Sequence, residues 1–176
     1  MTLNNSYKLF GKKGHHDDKP PFVQPVIVAD RILSPMNVGA ILRLAGNISA
    51  AKVWFVYDED PGFRSCKIKR TSSGASEKVE WELITPGRLP EVLPAGYEVI
   101  ALETTEDATS LFSEKLPGKV VFMVGNERFG LQEKLIKLCR RKMFIPIPGP
   151  ISSLNVSHAL GIGLFEWLRQ QRQDKL

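Results

Sequence analysis

The stretch KVVFMVGNERFGLQEKL, residues 119–135, contains the pattern on which the fold depends. Between its first lysine and Gly125 every residue is apolar, which is typical of a strand covered on both faces. Gly125 and Gly130 then permit tight turns and a close approach of the backbone. Leu131 and Leu135 follow at helical spacing. The stretch predicts a strand, a loop and a helix in succession, the repeating unit of a parallel α/β protein.

The same alternation continues along the chain. Apolar, β-branched runs predict strands at residues 25–30, 52–57, 79–83, 97–103, 119–125 and 143–147. Helical spacing predicts helices over residues 37–50, 131–141 and 156–167. We therefore expect an α/β fold class, with a mainly parallel sheet flanked by helices in a single domain of residues 25–176. A flexible basic arm, residues 1–24, is expected to precede it.

The composition limits the classes of function. The chain has 176 residues with 43% hydrophobic and 24% charged content, ordinary values for a globular protein. A net charge of +5 favours a polyanionic partner, although a merely basic soluble protein has the same charge. Cys66 and Cys139 lack the spacing of a zinc site or a disulfide framework, so a reducing, cytoplasmic setting is expected. No apolar run is long enough for a bilayer span or a signal core, and we expect no membrane partner.

The N-terminal arm offers two weak signals. Its lysines could contact nucleic acid or could belong to a solvated tail; they are Lys8, Lys12, Lys13 and Lys19. The run HHDD at residues 15–18 could bind a metal weakly, but nothing else in the sequence converges on it, so no metal is expected.

Three loops are candidates for function: residues 30–43, residues 124–130 and the stretch that runs from residue 147 into the last helix. Ligands of parallel sheets bind at the carboxyl ends of the strands, where we expect these loops to lie. In the first loop Asn37 could cap a helix, and Arg43 lies off the buried stripe, where a plain surface arginine is the commoner case. In the second, Glu127 could simply complement a helix dipole. In the third, Ser153 or Asn155 could be only an N-cap.

Familiar nucleotide motifs do not fit these loops. The second loop lacks the Lys-Ser/Thr pair of a phosphate-binding loop, and no GxGxxG opens the first strand-to-helix turn. There is no GxSxG, and His158 has no evident serine and acid partners. A kinase or a nucleotide-binding oxidoreductase is therefore disfavoured.

Taken together, the loops resemble the three ordered motifs of the SpoU-type (TrmH-like) RNA ribose 2′-O-methyltransferases of the SPOUT superfamily. NVGAILR at 37–43 matches the first motif, GNERFGL at 125–131 the second and SLNVS at 153–157 the third. KRTSSGASEKVEW at 69–81 resembles the Ser-Gly-Ala segment of the family. The resemblance covers residues 25–172. Ser34 and Ile147 depart from the usual asparagine and methionine, which bears on loop shape more than on chemistry.

The resemblance implies S-adenosylmethionine as methyl donor, a deep trefoil knot in the C-terminal part and a homodimer with active sites at its interface. It implies a catalytic Arg43, oriented together with the ribose and the cofactor by Asn37, Glu127, Ser153 and Asn155. The implied cofactor site consists of Gly125, Asn126, Glu127, Ile145, Ile147, Leu154 and Asn155. Because a guanidinium stays protonated, we expect Arg43 to clamp phosphate and stabilise negative charge rather than act as a simple base.

The expected substrate is RNA, with tRNA as the first candidate and rRNA close behind; a non-catalytic RNA-binding protein on the same fold is the alternative. The basic residues expected to bind RNA are Arg43, Arg64, Lys67, Lys69 and Arg70, with a further basic run at 139–142. Leu164, Phe165 and Trp167 on the last helix suit either a partner subunit or burial within one chain.

Overall fold

The computed structural model of the chain describes residues 22–63 and 65–173. Its strands form one seven-stranded sheet in the order β3-β2-β1-β6-β4-β7-β5, and all the paired strands are parallel. The strands are β1 (Val26–Asp30), β2 (Lys52–Val56), β3 (Trp81–Ile84), β4 (Glu98–Leu102), β5 (Thr109–Ser110), β6 (Val120–Val124) and β7 (Arg141–Phe144). The expected mainly parallel sheet is confirmed.

Helices cover both faces of this sheet. They are α1 (Pro35–Ile48), α2 (Ser65–Ser72), α3 (Leu89–Val92), α4 (Glu133–Ile136) and α5 (Val156–Gln173), with 3-10 turns at Ala75–Glu77 and Leu111–Ser113. Ile27 and Ala29 of β1 pack in one core with residues of α1 and α5. Val26 and Val28 face the opposite core, which includes residues of α3 and α4. Burial on both faces explains why β6 is apolar throughout and β1 is apolar up to Asp30.

The six predicted strands are present, but one predicted helix is wrong. Residues 131–141 form only the short α4, because the amides of Leu138 and Cys139 bond to carbonyls three residues back and end the helix. The amide of Arg140 then bonds to the carbonyl of Val99 at 2.9 Å and draws the chain into the sheet. Strand β7 consequently begins earlier than predicted. It ends before Pro146, which has no N–H to donate. The sequence did not predict α2, α3 or the two-residue β5.

The apolar stripe of α5 is buried within its own chain. Leu160, Leu164 and Trp167 are completely buried, and a Cβ at Gly163 would lie 2.7 Å from Leu102. Of the two alternatives for this helix, burial within one chain holds for Leu164 and Trp167, whereas Phe165 is 49% exposed.

The described part of the chain begins inside the predicted arm. The Phe22 ring packs edge-on against Trp167, with 5.2 Å between ring centroids. The rest of the predicted arm lies outside the described residues, as do its lysines and the HHDD run. Within residues 22–63 and 65–173 no helix is long and apolar enough to cross a bilayer.

Candidate active site

A cleft of about 470 Å³ opens at the carboxyl ends of β6, β4 and β7, three neighbours in the sheet. Its lining includes apolar strand ends, Leu102, Val124 and Met143, together with residues of the second and third loops. Every residue expected to contact a cofactor lines it: Gly125, Asn126, Glu127, Ile145, Ile147, Leu154 and Asn155. The cleft therefore combines apolar surface with polar groups, as sites for small organic ligands do.

The second loop is a tight, self-contained turn. Asn126 and Gly130 exchange two backbone hydrogen bonds of 3.1 and 3.0 Å. The side-chain oxygen of Asn126 accepts from the amides of Arg128 and Phe129, and its amide group donates to the carbonyl of Arg31 at 2.6 Å. The Asn126 side chain therefore holds the loop together and ties it to the first loop.

Glu127 joins the second loop to the entrance of α1. Its carboxylate accepts from the backbone amides of Leu33 (2.9 Å) and Ser34 (3.2 Å) and from the side chain of Asn37 (2.6 Å). Partial burial alone would raise the pKa of the Glu127 carboxyl, but these hydrogen bonds outweigh burial and hold the pKa below its ordinary value. Glu127 therefore remains a carboxylate, and it holds the first two loops together.

Asn37 and Asn155 extend this connection to the third loop. The Asn155 amide donates to the side-chain oxygen of Asn37 at 3.1 Å, and the Asn155 oxygen accepts from the amide and hydroxyl of Ser157 at 2.9 and 2.7 Å. A carboxylate that only accepts lies at one end of the chain and a backbone N–H that only donates at the other, so both amide orientations are fixed. We call Glu127, Asn37, Asn155 and Ser157 the hydrogen-bond chain.

The two capping alternatives have different outcomes. Asn155 caps α5 through its bond to the Ser157 amide, while it also bonds to Asn37. Asn37 is not a cap. It lies inside α1, whose N-cap is Ser34. The Ser34 hydroxyl accepts from the Met36 amide at 3.2 Å, and Pro35 is the first helical residue.

Arg43 and Ser153 take different places relative to the cleft. Ser153 lines it from the exposed third loop. Arg43 is exposed on α1 and is not among the described residues that line the cleft. It lies six residues beyond Asn37, a rise of about 9 Å along the helix. The structure therefore does not bring Arg43 to the cleft of its own chain.

Only some of the basic side chains expected to bind RNA are both described by the structure and without an acidic partner. Lys69 pairs with Glu77 at 2.9 Å on an exposed surface, and Arg70 is exposed. In the run at 139–142, Arg141 pairs with Glu98, and Lys142 with Asp107 at 2.5 Å. Arg64 and the side chain of Lys67 lie outside the described part of the chain.

The sequence did not predict two acidic residues at or near the site, Glu103 and Asp30. Glu103 lines the cleft and accepts from the amide of Leu131 at 2.9 Å. Asp30 is completely buried and accepts from the backbone and side chain of Gln132 at 2.8 and 2.7 Å, with Arg31 beside it at 3.2 Å. A carboxylate that directly ends an apolar strand was the available signal for Asp30, since such a group must find partners when buried.

Glu127→Gln is expected to lower the free energy of unfolding at pH 7 by about 1 kcal/mol, because a glutamine offers one oxygen where the carboxylate offers two. Glu127 is only partly buried and remains accessible to water, which keeps the effect small. Because the folded-state pKa is depressed, this stabilisation is present above the unfolded pKa of about 4.3 and is lost as pH falls through the folded pKa. In urea unfolding, the gap in the free energy of unfolding between wild type and Glu127→Gln should be smaller at about pH 3 than at pH 7.

Glu106→Gln, at an exposed position outside the cleft lining, is the control and should give no gap at either pH. A gap for Glu127→Gln that stays the same at both pH values would contradict the charged role of the carboxylate.

The fold and the cleft define a parallel α/β protein with a ligand site formed by loops at the carboxyl edge of its sheet. A model of the SpoU rRNA methylase family matches residues 24–165, and the chain belongs to this family. The resemblance noted from the three motifs is confirmed.

Named relatives act on RNA. The 23S rRNA (guanosine-2′-O-)-methyltransferase RlmB of Xylella fastidiosa is 34% identical over 148 residues, 83% of this chain and 59% of that protein. A crystal structure of AdoMet-bound rRNA methyltransferase from Sinorhizobium meliloti matches with a TM-score of 0.75 and 27% identity, over 87% of this chain and 59% of that one. A structure described as giving insights into the 2-OH methylation of C/U34 on tRNA matches with a TM-score of 0.75 and 26% identity, over 85% of this chain and 97% of that one.

The chain thus spans about 59% of the length of the first of these relatives.

Proposed function

We propose that this protein transfers a methyl group from S-adenosylmethionine to a ribose 2′-hydroxyl of RNA. The observation that carries the proposal is the hydrogen-bond chain, which joins the three family motifs at one side of the cleft. The bond from Asn126 to Arg31 also joins the first two loops, and the hydrogen-bond chain adds the third. With it, side chains from distant parts of the sequence form one rigid wall suited to positioning two reactants.

The cleft fits S-adenosylmethionine by its volume and by the chemistry of its lining. Ile145, Ile147 and Leu154 offer apolar surface for a heterocycle, and the backbone around Gly125 offers hydrogen-bonding groups close by. Glu127 and Asn155 would orient polar parts of the cofactor and the ribose. The bound cofactor supplies an electrophilic methyl group; the chain's task is to place the ribose oxygen and to exclude water.

Arg43 would stabilise the attacking oxygen. A ribose hydroxyl is a poor nucleophile at neutral pH, and a nearby guanidinium favours the negative charge that grows as the proton leaves. The same group can hold the adjacent phosphate with two hydrogen bonds. Because Arg43 is separated from the cleft of its own chain, this role calls for a second copy of the protein.

We therefore also propose a homodimer in which Arg43 of one copy serves the cleft of the other. Exposed apolar side chains at the loops support such an interface, since large apolar patches usually mark interaction sites. They are Leu33, Met36, Phe129, Ile151 and Leu154. Sedimentation equilibrium should give twice the chain mass, and a monomer with full activity would rule out the shared site.

The strand order supports the trefoil knot that the family resemblance implies. β7 comes last in the sequence yet lies between β4 and β5, and α5 then returns to pack in the same core as α1. A chain that must pass back between elements already in place is what a knot requires, although knots are rare. We propose that the second and third loops owe their closeness to it.

The relatives favour rRNA over tRNA as substrate, which reverses the order expected from the sequence. The relatives named RlmB are 23S rRNA methyltransferases, while the tRNA comparison rests on a structure with 26% identity. We propose rRNA as the first substrate to test. We also propose a cytoplasmic location for the protein.

Two measurements test the function. Calorimetry should detect binding of S-adenosylmethionine to the full chain, whereas binding of NAD or ATP in its place would contradict the proposal. Ribose-methylation mapping of total RNA, with and without the gene, should show one nucleotide that loses its methyl group and regains it with purified protein and cofactor. Cofactor and RNA binding without any lost site would support the non-catalytic alternative.

A further inference from the structure

A second cavity, of about 170 Å³, lies outside the cleft and has a different character. Its walls include four aromatic residues, Phe55, Tyr57, Phe63 and Trp81, and its lining is otherwise largely apolar. It adjoins the ends of β2 and β3 and the helix α2. We call it the aromatic cavity.

The walls of the aromatic cavity are held in place. Tyr57 donates its hydroxyl hydrogen to the carbonyl of Ile32 at 2.8 Å, and Trp81 donates its indole N–H to the carbonyl of Ser76 at 3.0 Å. Phe63 meets Tyr57 edge-on, with 5.9 Å between centroids and 79° between planes. Phe55 and Trp81 form a second edge-to-face pair, with 6.0 Å between centroids and 84° between planes. Phe55 is completely buried, so the surface left for a planar ligand belongs to the partly exposed Tyr57, Phe63 and Trp81.

The aromatic cavity adjoins the segment that leads into the first motif. Val38 of α1 lines it, one residue after Asn37 of the hydrogen-bond chain. The bond from Tyr57 to Ile32 fixes the residue just before Leu33, whose amide bonds to Glu127. A group held in the cavity would therefore lie against the segment that carries the first motif.

The rim of the cavity is polar and suits the edge of a heterocycle. Asp60 and Lys69 both line it, and Asp60 uses one carboxylate oxygen to accept from the amide of Gly62 at 2.9 Å. Its other oxygen can accept from an amino or imino group. Lys69 is paired with Glu77 at 2.9 Å, and the exposed Arg70 follows it on α2, where it can contact a phosphate.

We propose that the aromatic cavity binds an unpaired nucleobase of the substrate RNA, stacked on its rings and read at its edge by Asp60. This inference rests on the proposed function for the identity of the ligand. Flat aromatic walls, a rim with hydrogen-bonding groups and adjacent cations are the combination by which proteins hold single-stranded bases. The cavity would fix the RNA beside the nucleotide that is methylated.

The test compares Phe63→Leu with Phe63→Trp in the full chain. Leucine keeps apolar packing and removes the ring face, so the affinity for a labelled single-stranded RNA of twelve mixed nucleotides should fall about tenfold, within the range expected for one stacked base. Tryptophan keeps a ring face and should restore the affinity. Phe112→Leu is the matched control, because Phe112 is exposed near β5, at the opposite edge of the sheet.

The wild-type chain gives a readout that needs no substitution at Phe63. Of the three tryptophans, Trp54 and Trp167 are buried in the cores, whereas Trp81 lines the cavity. Bound single-stranded RNA should quench tryptophan fluorescence, and Trp81→Phe should remove that quenching. RNA binding without quenching would overturn the proposal.

Other outcomes separate this inference from the proposed function. If the wild type methylates RNA and Phe63→Leu does so with unchanged KM, the base site is wrong and the methyltransferase stands. If Phe63→Leu weakens single-stranded RNA but not the same RNA in a duplex, while no methylation occurs, the base site stands and the proposed function fails. Equal weakening of both RNAs would indicate a general change in folding and would also overturn the base site.

Discussion

Replacement of Arg43 by alanine is expected to lower kcat for RNA methylation by about a hundredfold or more, the usual loss when a group that stabilises a developing oxyanion is removed. The affinity for S-adenosylmethionine should stay within about twofold of wild type, because Arg43 does not line the cleft of its own chain. Stability should also be nearly unchanged, since the side chain is exposed on α1. Single-turnover methylation and calorimetry measure the two quantities separately.

Two further variants sharpen the test of Arg43. Arg43→Lys keeps the charge and loses the planar fork that grips phosphate and ribose oxygens together, so it should recover only part of the rate. Arg172→Ala removes an exposed arginine near the end of α5 and should leave the rate unchanged. If Arg43→Ala lowered cofactor affinity and rate equally, the arginine would act on the shape of the site and not on the transition state.

The sequence predicted the strands well because of where they lie. β1 and β6 are central and buried on both faces, so nearly all their positions must be apolar and the pattern is strong. β5 has two residues at the edge of the sheet, and so short a segment leaves no pattern to detect. The helix expected over residues 131–141 failed for a different reason. The apolar residues do have helical spacing, but the hydrogen bond from Arg140 to Val99 places the following residues in the sheet as β7.

The residues of the site could be named from motifs, but their connections could not. Asn37 is 90 residues from Glu127 and 118 residues from Asn155 in the sequence, so no local rule predicts that the three side chains meet. Local reasoning gave Asn37 the role of a helix cap, which Ser34 performs. The position of Arg43 relative to the cleft likewise depends on the length and direction of α1 in the folded chain, which its motif does not contain.

Gly125→Ala is expected to have the largest effect on the folded site. A Cβ at this position would lie 2.3 Å from the carbonyl carbon of Gly130 and 2.3 Å from the nitrogen of Leu131. Both contacts are with backbone, so no side chain can rotate away to relieve them. The loop cannot simply open, because Asn126 and Gly130 are joined by two backbone hydrogen bonds. We expect the free energy of unfolding to fall by about 3 kcal/mol, the upper part of the range for overpacking.

The loss should extend to cofactor binding, because the displaced turn carries Asn126 and Glu127 at the cleft. Calorimetry should show an affinity for S-adenosylmethionine reduced at least about tenfold, and urea unfolding should show the loss of stability. Gly149→Ala is the matched control: it lies in the third loop, and a Cβ there would have no described atom within 4 Å. Equal effects at the two glycines would mean that any stiffening of the loops is harmful. An effect at Gly125 alone would identify close contact between backbone segments as the feature that this position requires.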